Sequence, residues 1–358
     1  MSTTEQTSAS KRIAALLDDN SFVEIGGYVT ARNTDFNLQA KQVPADGVVT
    51  GYGTVEGNLV YICSQDASVL GGAVGEMHAK KIVKIYDLAM KTGAPVIGLI
   101  DCAGLRLEEA TDALNGFGEI YQSQAMASGV IPQVTAVFGS CGGGMAVSAA
   151  MSDFTFMEEK NAKLFVNSPN ALDGNYTSKC DTAAAAFQSE EAGTVDVVGS
   201  EEDVLSKVRE LITILPANNE DDMSYGECED DLNRVCESIE NGMADPAVTL
   251  SMISDDGYVF ETKSVYAKDV VTGFIRLNGS TVGVVANRSV LFDEEGKEAE
   301  KFDGRMSAEG AQKAADFVNF CDAFEIPVLT LTNVEGYAAT KCQEKKMAKA
   351  VASLNYAF

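Results

Sequence analysis

The residues best suited to chemistry form a run of glycines. Residues 134–154 read VTAVFGSCGGGMAVSAAMSDF. An apolar strand pattern leads straight into Gly139, Ser140, Cys141, Gly142, Gly143 and Gly144, and a helix of small residues follows. Glycine lets a backbone approach a ligand closely and make turns closed to other residues. At a strand-to-helix turn, the first N–H groups of the helix have no acceptor inside it. The amides of Gly143 and Gly144 are therefore expected to form an oxyanion hole that holds a thioester oxygen as it becomes an enolate. A tight turn serving only packing uses the same residues, but the apolar strand before it and the Ala/Ser-rich helix after it favour the functional reading.

Other reactive types are scarce. The single histidine, His78, sits in an Ala/Lys-rich helix start and reads as a surface or packing residue rather than a base. The eight cysteines form no CxxC pair and no metal-ligand spacing, so no metal is expected. Cys63, Cys102, Cys141 and Cys180 read as small apolar fillers in a reduced cytosol. Lys80, Lys81 and Lys84 could meet the phosphates of a ligand, although a solvated helix face is the commoner use of such a cluster.

The formal charge of −26 argues against nucleic acid as a partner, because binding it needs a basic face. An anionic ligand can still be held by backbone amides at a helix start, although the field of the whole chain would not steer it inward. There is no 18-residue apolar run to cross a membrane. The first residues, MSTTEQTSASKR, lack a signal-peptide core, so a cytoplasmic protein is expected. A length of 358 residues with 46% apolar content suggests two globular domains.

The chain contains itself twice. Residues 18–25 (DDNSFVEI) match 255–262 (DDGYVFET), and 48–57 (VVTGYGTVEG) match 270–279 (VVTGFIRLNG). One common shift lays Gly51 on Gly273 and Gly57 on Gly279. A longer shift then lays residues 79–104 on 311–336, with Pro95 on Pro327 and Gly104 on Gly336. The extra residues around 293–301 (DEEGKEAEK) read as a solvated loop.

Each copy reads as strand pair, loop, helix, strand, loop, helix. Residues 48–54 and 58–63 are apolar and β-branched around Glu56 and Gly57, which predicts a hairpin. Residues 75–91 carry apolar residues at helical spacing, with Gly93 as a stop. Residues 95–100 are wholly apolar, as in a buried parallel strand. Further helices are expected at 118–128 and from Met145, and a strand at 134–139. The alternation predicts α/β units. An acidic linker at 221–247 is expected to separate a domain at 1–220 from one at 248–358.

Several of these stretches resemble one known family. Residues 139–154 are similar to its GPCAGGAVYSPAMTDF, residues 64–76 (SQDASVLGGAVGE) to its SQDFTVFGGSLGE, and residues 101–109 (DCAGLRLEE) to its DSGGARIQE. Residues 127–132 (ASGVIP), 215–219 (LPANN), 271–287 and 317–327 match as well. The family is that of the acyl-CoA carboxyltransferases of the crotonase superfamily. The resemblance covers nearly the whole chain.

It implies an α/β fold of two tandem crotonase-like (ClpP/crotonase) ββα-repeat domains. It also implies transfer of a carboxyl group between biotin and the α-carbon of an acyl-CoA, of the propionyl, acetyl or glutaconyl type. The thioester oxygen would sit at Gly143 and Gly144, and carboxybiotin at an analogous turn of the second domain. Gly71, Gly72, Gly104 and Gly142 would shape the acyl-CoA site. Arg106 would either position CoA or pair with Glu108 or Glu109. Implied partners are a biotin carboxyl carrier protein, a biotin carboxylase or membrane decarboxylase subunit, and further copies of the chain in a homo-oligomer.

The chain also departs from the family pattern. Residues 103–106 read AGLR where the family has GGAR, and residues 165–172 (FVNSPNAL) replace its TGPDVI, which bears on acyl specificity. Residues 333–337 (NVEGY) stand in place of DVPGF, and residues 338–347 lack a glycine pair, which bears on carboxybiotin contacts. Carried to the last residue, the longer repeat shift lays Phe358 on Met126, before the glycine run. The second domain is therefore expected to be incomplete, with its final helix short of a packing partner.

Three other readings compete. A crotonase-type hydratase needs a carboxylate two residues after the glycine run, where Ala146 stands. A ClpP-like protease needs a Ser–His–Asp set, and the one histidine lies before the strand–turn–helix unit. A non-catalytic subunit that binds CoA without turnover would fit the missing second turn. Within the family, the α-subunit of a sodium-pumping decarboxylase would run the same transfer in reverse.

Overall fold

The computed structural model describes residues 7–32, 44–173, 180–222, 228–237, 239–293 and 295–358. Residues 223–227 and 238, part of the expected linker, lie outside that set. The chain divides into two compact units, Met1–Asn218 and Asn219–Phe358. The acidic stretch belongs to the second unit rather than standing between the two. Its Arg234 donates to the carbonyls of Met252 and Ser254, and its Asp245 carboxylate holds Arg288 Nε at 2.9 Å.

The first unit is built on strands β1 (Val23–Glu24), β2 (Val48–Val55), β3 (Asn58–Gln65), β4 (Val96–Cys102), β5 (Gln133–Gly142), β6 (Phe154–Glu158), β7 (Lys163–Phe165) and β8 (Val197–Gly199). Their order in the sheet is β1-β2-β3-β4-β5-β6-β8, with β7 paired along the end of β5. From β3 onward the pairs are parallel. Parallel strands need both faces covered, which explains their unbroken apolar runs. Helices α2 (Glu76–Thr92) and α3 (Ala110–Ala127) cover one face, where Ile82, Ile85, Phe117 and Ile120 join Val96, Ile100 and Val137 in one core. The alternate residues Ile62, Ile97, Leu99 and Ala136 are also buried; α1 (Ser8–Leu16) packs on β3 and a later helix, Glu201–Ile214, packs on β5. The helix expected at 118–128 starts eight residues earlier, at Ala110.

The predicted hairpin joins β2 to β3 through Glu56 (φ 48) and Gly57 (φ 82), the two positive φ values of a type I′ turn. Asp18 fixes this turn. Its carboxylate accepts the N–H groups of Glu56 at 3.0 Å and Gly57 at 2.9 Å, and these bonds hold it below the usual carboxylate range. Helix α2 ends at Gly93, which is left-handed (φ 64) and returns its N–H to Ala89.

After α4 (Gly144–Ala150) and α5 (Glu201–Ile214), the second unit opens with α6 (Pro246–Ile253). It continues through β9 (Val259–Thr262), β10 (Val270–Leu277), β11 (Ser280–Asn287), β12 (Val290–Phe292), β13 (Glu298–Lys301) and β14 (Arg305–Met306). Helix α7 (Ala308–Ala323), β15 (Val328–Leu331), β16 (Gly336–Tyr337) and α8 (Lys341–Ala357) complete it. The sheet order β15-β11-β10-β9 repeats β4-β3-β2-β1, again with one parallel pair, β11 with β15.

The repetition extends to buried polar contacts. Asp255 accepts the N–H groups of Asn278 at 3.1 Å and Gly279 at 2.7 Å, as Asp18 does in the first unit. Lys81 on α2 reaches the carbonyls of Ala45 and Val48, and Lys313 on α7 reaches those of Lys263, Tyr266 and Val270. Burial pushes both lysines down to about 8. A duplicated gene explains such agreement better than convergence of two unrelated sheets.

Three expectations need correction. The charged stretch near 293–301 is solvated as expected but only partly a loop: Glu298–Lys301 forms the exposed strand β13, paired with β12. Helix α8 does find a partner: its Met347 and Ala350 pack on Ala308 and Ala311 of α7, while Tyr356 and Phe358 stay exposed. Cys180 is exposed, unlike the buried Cys63, Cys102 and Cys141, so it fills no core.

Candidate active site

The C-terminal ends of β3, β4 and β5 lie side by side, and three glycine segments meet there by backbone alone. The N–H of Ala103 donates to Gly71 O at 2.9 Å, that of Val74 to Gly104 O at 2.9 Å, and that of Arg106 to Val74 O at 2.9 Å. A Cβ on Gly72 would stand 2.1 Å from the carbonyl oxygen of Asp101, and one on Gly104 would stand 3.3 Å from that of Gly142. At Gly72 only glycine permits such an approach, and at Gly104 the contact is tight and the backbone, at φ 110, favours glycine. Gly71 and Ala103 are exposed at the mouth, whereas Gly72, Gly104 and Gly142 are buried behind them. In open α/β sheets this crevice, beyond the carboxyl ends of the strands, is where ligands bind. The expected residues Gly71, Gly72, Gly104, Gly142, Gly143 and Gly144 are thus brought together.

The glycine turn differs from expectation in one respect. Gly143 has φ 60 and ψ −123, and its N–H donates to the carbonyl of Phe165 at 2.9 Å. Strand β7 pairs Gly142 with Phe165, and this ladder claims the next amide. Of the two expected oxyanion donors, Gly143 is therefore occupied within the fold. Gly144 opens α4, where its N–H has no acceptor inside the helix. Its carbonyl accepts the Tyr121 hydroxyl at 2.7 Å. A Cβ at Gly144 would lie 2.8 Å from that hydroxyl and 3.0 Å from the Phe117 ring. Tyr121, Phe117 and Phe165 thus fix the turn from α3 and from β7. Sequence alone gave no sign of them, because their role depends on pairing distant in the chain.

Arg106 is not a ligand contact. It is 1% exposed. Its Nη1 donates to Asp46 at 2.6 Å and to Glu109 at 2.8 Å, and its Nη2 to the carbonyl of Ala73 at 2.8 Å. Of the two expected roles, the geometry selects ion pairing, with Glu109 and with an unforeseen partner, Asp46. The other Glu109 oxygen accepts the N–H of Glu76 at 2.6 Å, at the start of α2. Among the lysines, Lys80 pairs with Glu76 at 2.6 Å, Lys81 is buried, and Lys84 faces solvent.

His78 is fully buried, as a packing residue should be. Its Nδ1 lies 2.9 Å from the Asp46 carbonyl oxygen and so donates to it, and its Nε2 lies 3.1 Å from Gln65 Nε2 and so accepts. Burial, then the nearby Arg106 guanidinium, lowers its pKa to about 3. Because the chain has one histidine, this can be tested cleanly. The two ring C–H signals of this one imidazole in a proton NMR titration should not move between pH 8 and 5. A shift with a midpoint near 6.5 would contradict the buried tautomer. The linkage follows: the unfolded imidazole takes a proton below about 6.5 and the folded one does not, so this stabilisation is lost as pH falls from 6.5 toward 3.

Among the described residues, no group of three His, Cys, Asp or Glu side chains could hold a metal ion. No helix there is long and apolar enough to cross a membrane. What remains is a crevice of backbone donors and glycines, suited to holding a polarised carbonyl.

Comparison with known proteins fits that chemistry. The Carboxyl transferase domain family matches residues 4–358. The propionyl-CoA carboxylase beta chain of Roseobacter denitrificans is 40% identical over 347 residues, covering 94% of this chain and 66% of its own length. The methylmalonyl-CoA decarboxylase subunit alpha of Veillonella parvula is 36% identical with the same coverage. A crystal structure of transcarboxylase 12S, a hexamer with methylmalonyl-coenzyme A and methylmalonic acid bound, superposes with a TM-score of 0.89 at 32% identity, over 98% of this chain and 68% of its own. The chain belongs to the carboxyl transferase domain family. It has that family's mixed α/β, crotonase-like fold, and it spans just under two thirds of the length of these curated relatives, 66%.

Proposed function

We propose that this chain is the carboxyltransferase part of a biotin-dependent enzyme, exchanging a carboxyl group between biotin and the α-carbon of an acyl-CoA. The observation that carries this reading is the glycine crevice, with the Gly144 amide at the start of α4 turned out of the helix ladder. A thioester oxygen seated there would be stabilised as the α-carbon loses or gains its carboxyl group. Biotin, delivered on a carrier protein, would supply the carboxyl group and take up the α-proton in exchange, so the transfer balances without oxidant or reductant. This chain's part is to bind the thioester, keep Gly71 and Ala103 at the mouth, and hold the turn through Tyr121 and Phe165. No side chain in the crevice is needed as nucleophile.

The relatives' names favour propionyl-CoA and methylmalonyl-CoA as the acyl pair. They leave two directions, carboxylase β-subunit or decarboxylase α-subunit, and we favour the first. A biotin carboxyl carrier protein, a biotin carboxylase or membrane decarboxylase subunit, and further copies of the chain are the proposed partners, and the cytoplasm the proposed location. The alternative is a fragment that binds CoA without turnover.

Calorimetric titration tests the reading. Methylmalonyl-CoA should bind more tightly than free CoA by about tenfold, the worth of about 1.4 kcal/mol at the thioester. Equal affinity, or no binding to a folded sample, would overturn it. Carboxyl exchange with free biotin then separates the enzyme from the binding fragment.

A further inference from the structure

We propose that Gln65 is a positioning residue of the carboxyl-transfer site, setting the start of α4, and with it the Gly144 amide, against the end of β4. The inference rests on the acyl-CoA reading above and adds a residue to it. Gln65 is the last residue of β3 and is fully buried. A buried polar side chain at the end of a strand costs stability unless it is fully bonded. Here it is. Its Oε1 accepts the N–H of Asp101 at 3.3 Å, where β4 ends. Its Nε2 donates to His78 Nε2 at 3.1 Å and lies 3.6 Å from Met145 Sδ, in the first turn of α4.

The amide has only one workable orientation. His78 Nδ1 must donate to the Asp46 carbonyl, so His78 Nε2 is an acceptor and must face the NH₂ of Gln65. The carbonyl oxygen is then left for Asp101. His78 is in turn fixed by Asp46, whose carboxylate accepts the His78 backbone N–H at 2.7 Å and Arg106 Nη1 at 2.6 Å. Arg106 carries the chain on to Glu109 and to Ala73 O, in the loop that bears Gly71 and Gly72. One buried line of bonds therefore runs from Glu109 to Met145 and touches each of the three glycine segments or its immediate neighbour. Networks of this kind hold a site through their bonded members; Arg106 Nε is buried without a partner among the described residues, whereas Gln65 bonds through both its Oε1 and its Nε2. Gln65 is the member that joins the network to α4.

The test compares Gln65→Leu and Gln65→Glu with the unaltered chain, by titration with methylmalonyl-CoA and with free CoA. Leucine keeps the bulk but can neither donate to His78 nor accept from Asp101. A glutamate keeps the acceptor, and one proton shared with His78 keeps the second bond. In the Leu variant the preference for thioester over CoA should fall about tenfold, toward parity, while the CoA affinity stays within about twofold. The Glu variant should retain most of the preference.

The proposal is overturned if the Leu variant keeps its full preference, if both affinities fall together, or if Glu is as damaging as Leu. Should the Leu protein not fold, Gln65→Met carries the comparison. Failure of both to fold would assign Gln65 to folding rather than positioning. Absence of any thioester preference in the unaltered chain would instead sink the acyl-CoA reading, so the two failures are distinguishable.

Discussion

Replacing Arg106 with methionine should cost about 3–5 kcal/mol of stability, the usual penalty for breaking a buried ion pair. For a unit of this size that lowers the unfolding midpoint by roughly 10 °C. Asp46 and Glu109 have fully buried side chains, and Arg106 Nη1 reaches both within 2.8 Å. Without the guanidinium, two carboxylates would be left buried with no opposing charge between them. Burial already pushes the Asp46 carboxyl up, against the lowering effect of Arg106, so its removal leaves protonation as the route to neutrality. A carboxyl whose folded pKa is raised binds its proton more tightly in the folded state. The variant should therefore recover stability as pH falls through the carboxylate range and lose it as pH rises. Lysine at this position should fall between, because a single ammonium cannot serve Asp46, Glu109 and the Ala73 carbonyl in the same fork geometry. Denaturant unfolding at several pH values measures both effects. A methionine variant within about 1 kcal/mol of the parent would show that the ion pairs are dispensable.

The residues around Arg106 also show where sequence reasoning stops. Pairing with a glutamate two or three positions on is legible as one of two roles, and the structure selects Glu109. Asp46 is not, since it lies sixty residues earlier and reaches Arg106 only once β2 and β4 share a sheet. The same distinction separates Gly144 from Gly143. A helix start announces free amides, and Gly144 keeps its place there. That β7 would pair Phe165 with Gly142, and so claim the Gly143 amide, depends on a register no local pattern encodes. Turns and periodic elements fared better. Glu56–Gly57 named its own hairpin, and Gly93 ended its helix in the left-handed conformation its type favours.

The internal repeat was the most informative part of the sequence, because it predicted three-dimensional equivalence without any tertiary argument. Asp18 and Asp255 lie far outside the hairpins they fix, yet both accept the two amides of a positive-φ turn. Lys81 and Lys313 both bury an ammonium among carbonyls at the start of the equivalent strand. What the repeat could not convey was burial. A lysine cluster on a helix reads as solvated, and only the packed sheet shows that one of its members caps backbone oxygens.

Gly72→Ala should be the more damaging of two matched glycine substitutions, by a margin that measures how closely the crevice is built. Gly57 and Gly72 have φ values of 82 and 67, so alanine is strained at both, by about 1 kcal/mol or more. At Gly57 a Cβ meets nothing within 4 Å, and the cost should stop there. At Gly72 it would lie 2.1 Å from Asp101 O, which belongs to the backbone of β4 and cannot rotate aside. Either the loop after β3 withdraws or β4 shifts at its end, and each adds overpacking strain of about 1–3 kcal/mol. The Gly72 variant should thus lose about 3 kcal/mol in all, against about 1 for Gly57. Withdrawal of the loop would also carry Gly71 O away from Ala103 N, now 2.9 Å apart, and Val74 N from Gly104 O, breaking the bonds that hold the mouth of the crevice. Methylmalonyl-CoA affinity should therefore fall in the Gly72 variant and hold in the Gly57 variant, even at a temperature where both are folded. Equal stability losses would mean that backbone conformation alone selects glycine at both places. Equal ligand affinities would mean that the Gly71–Ala103 contact is not part of the acyl site.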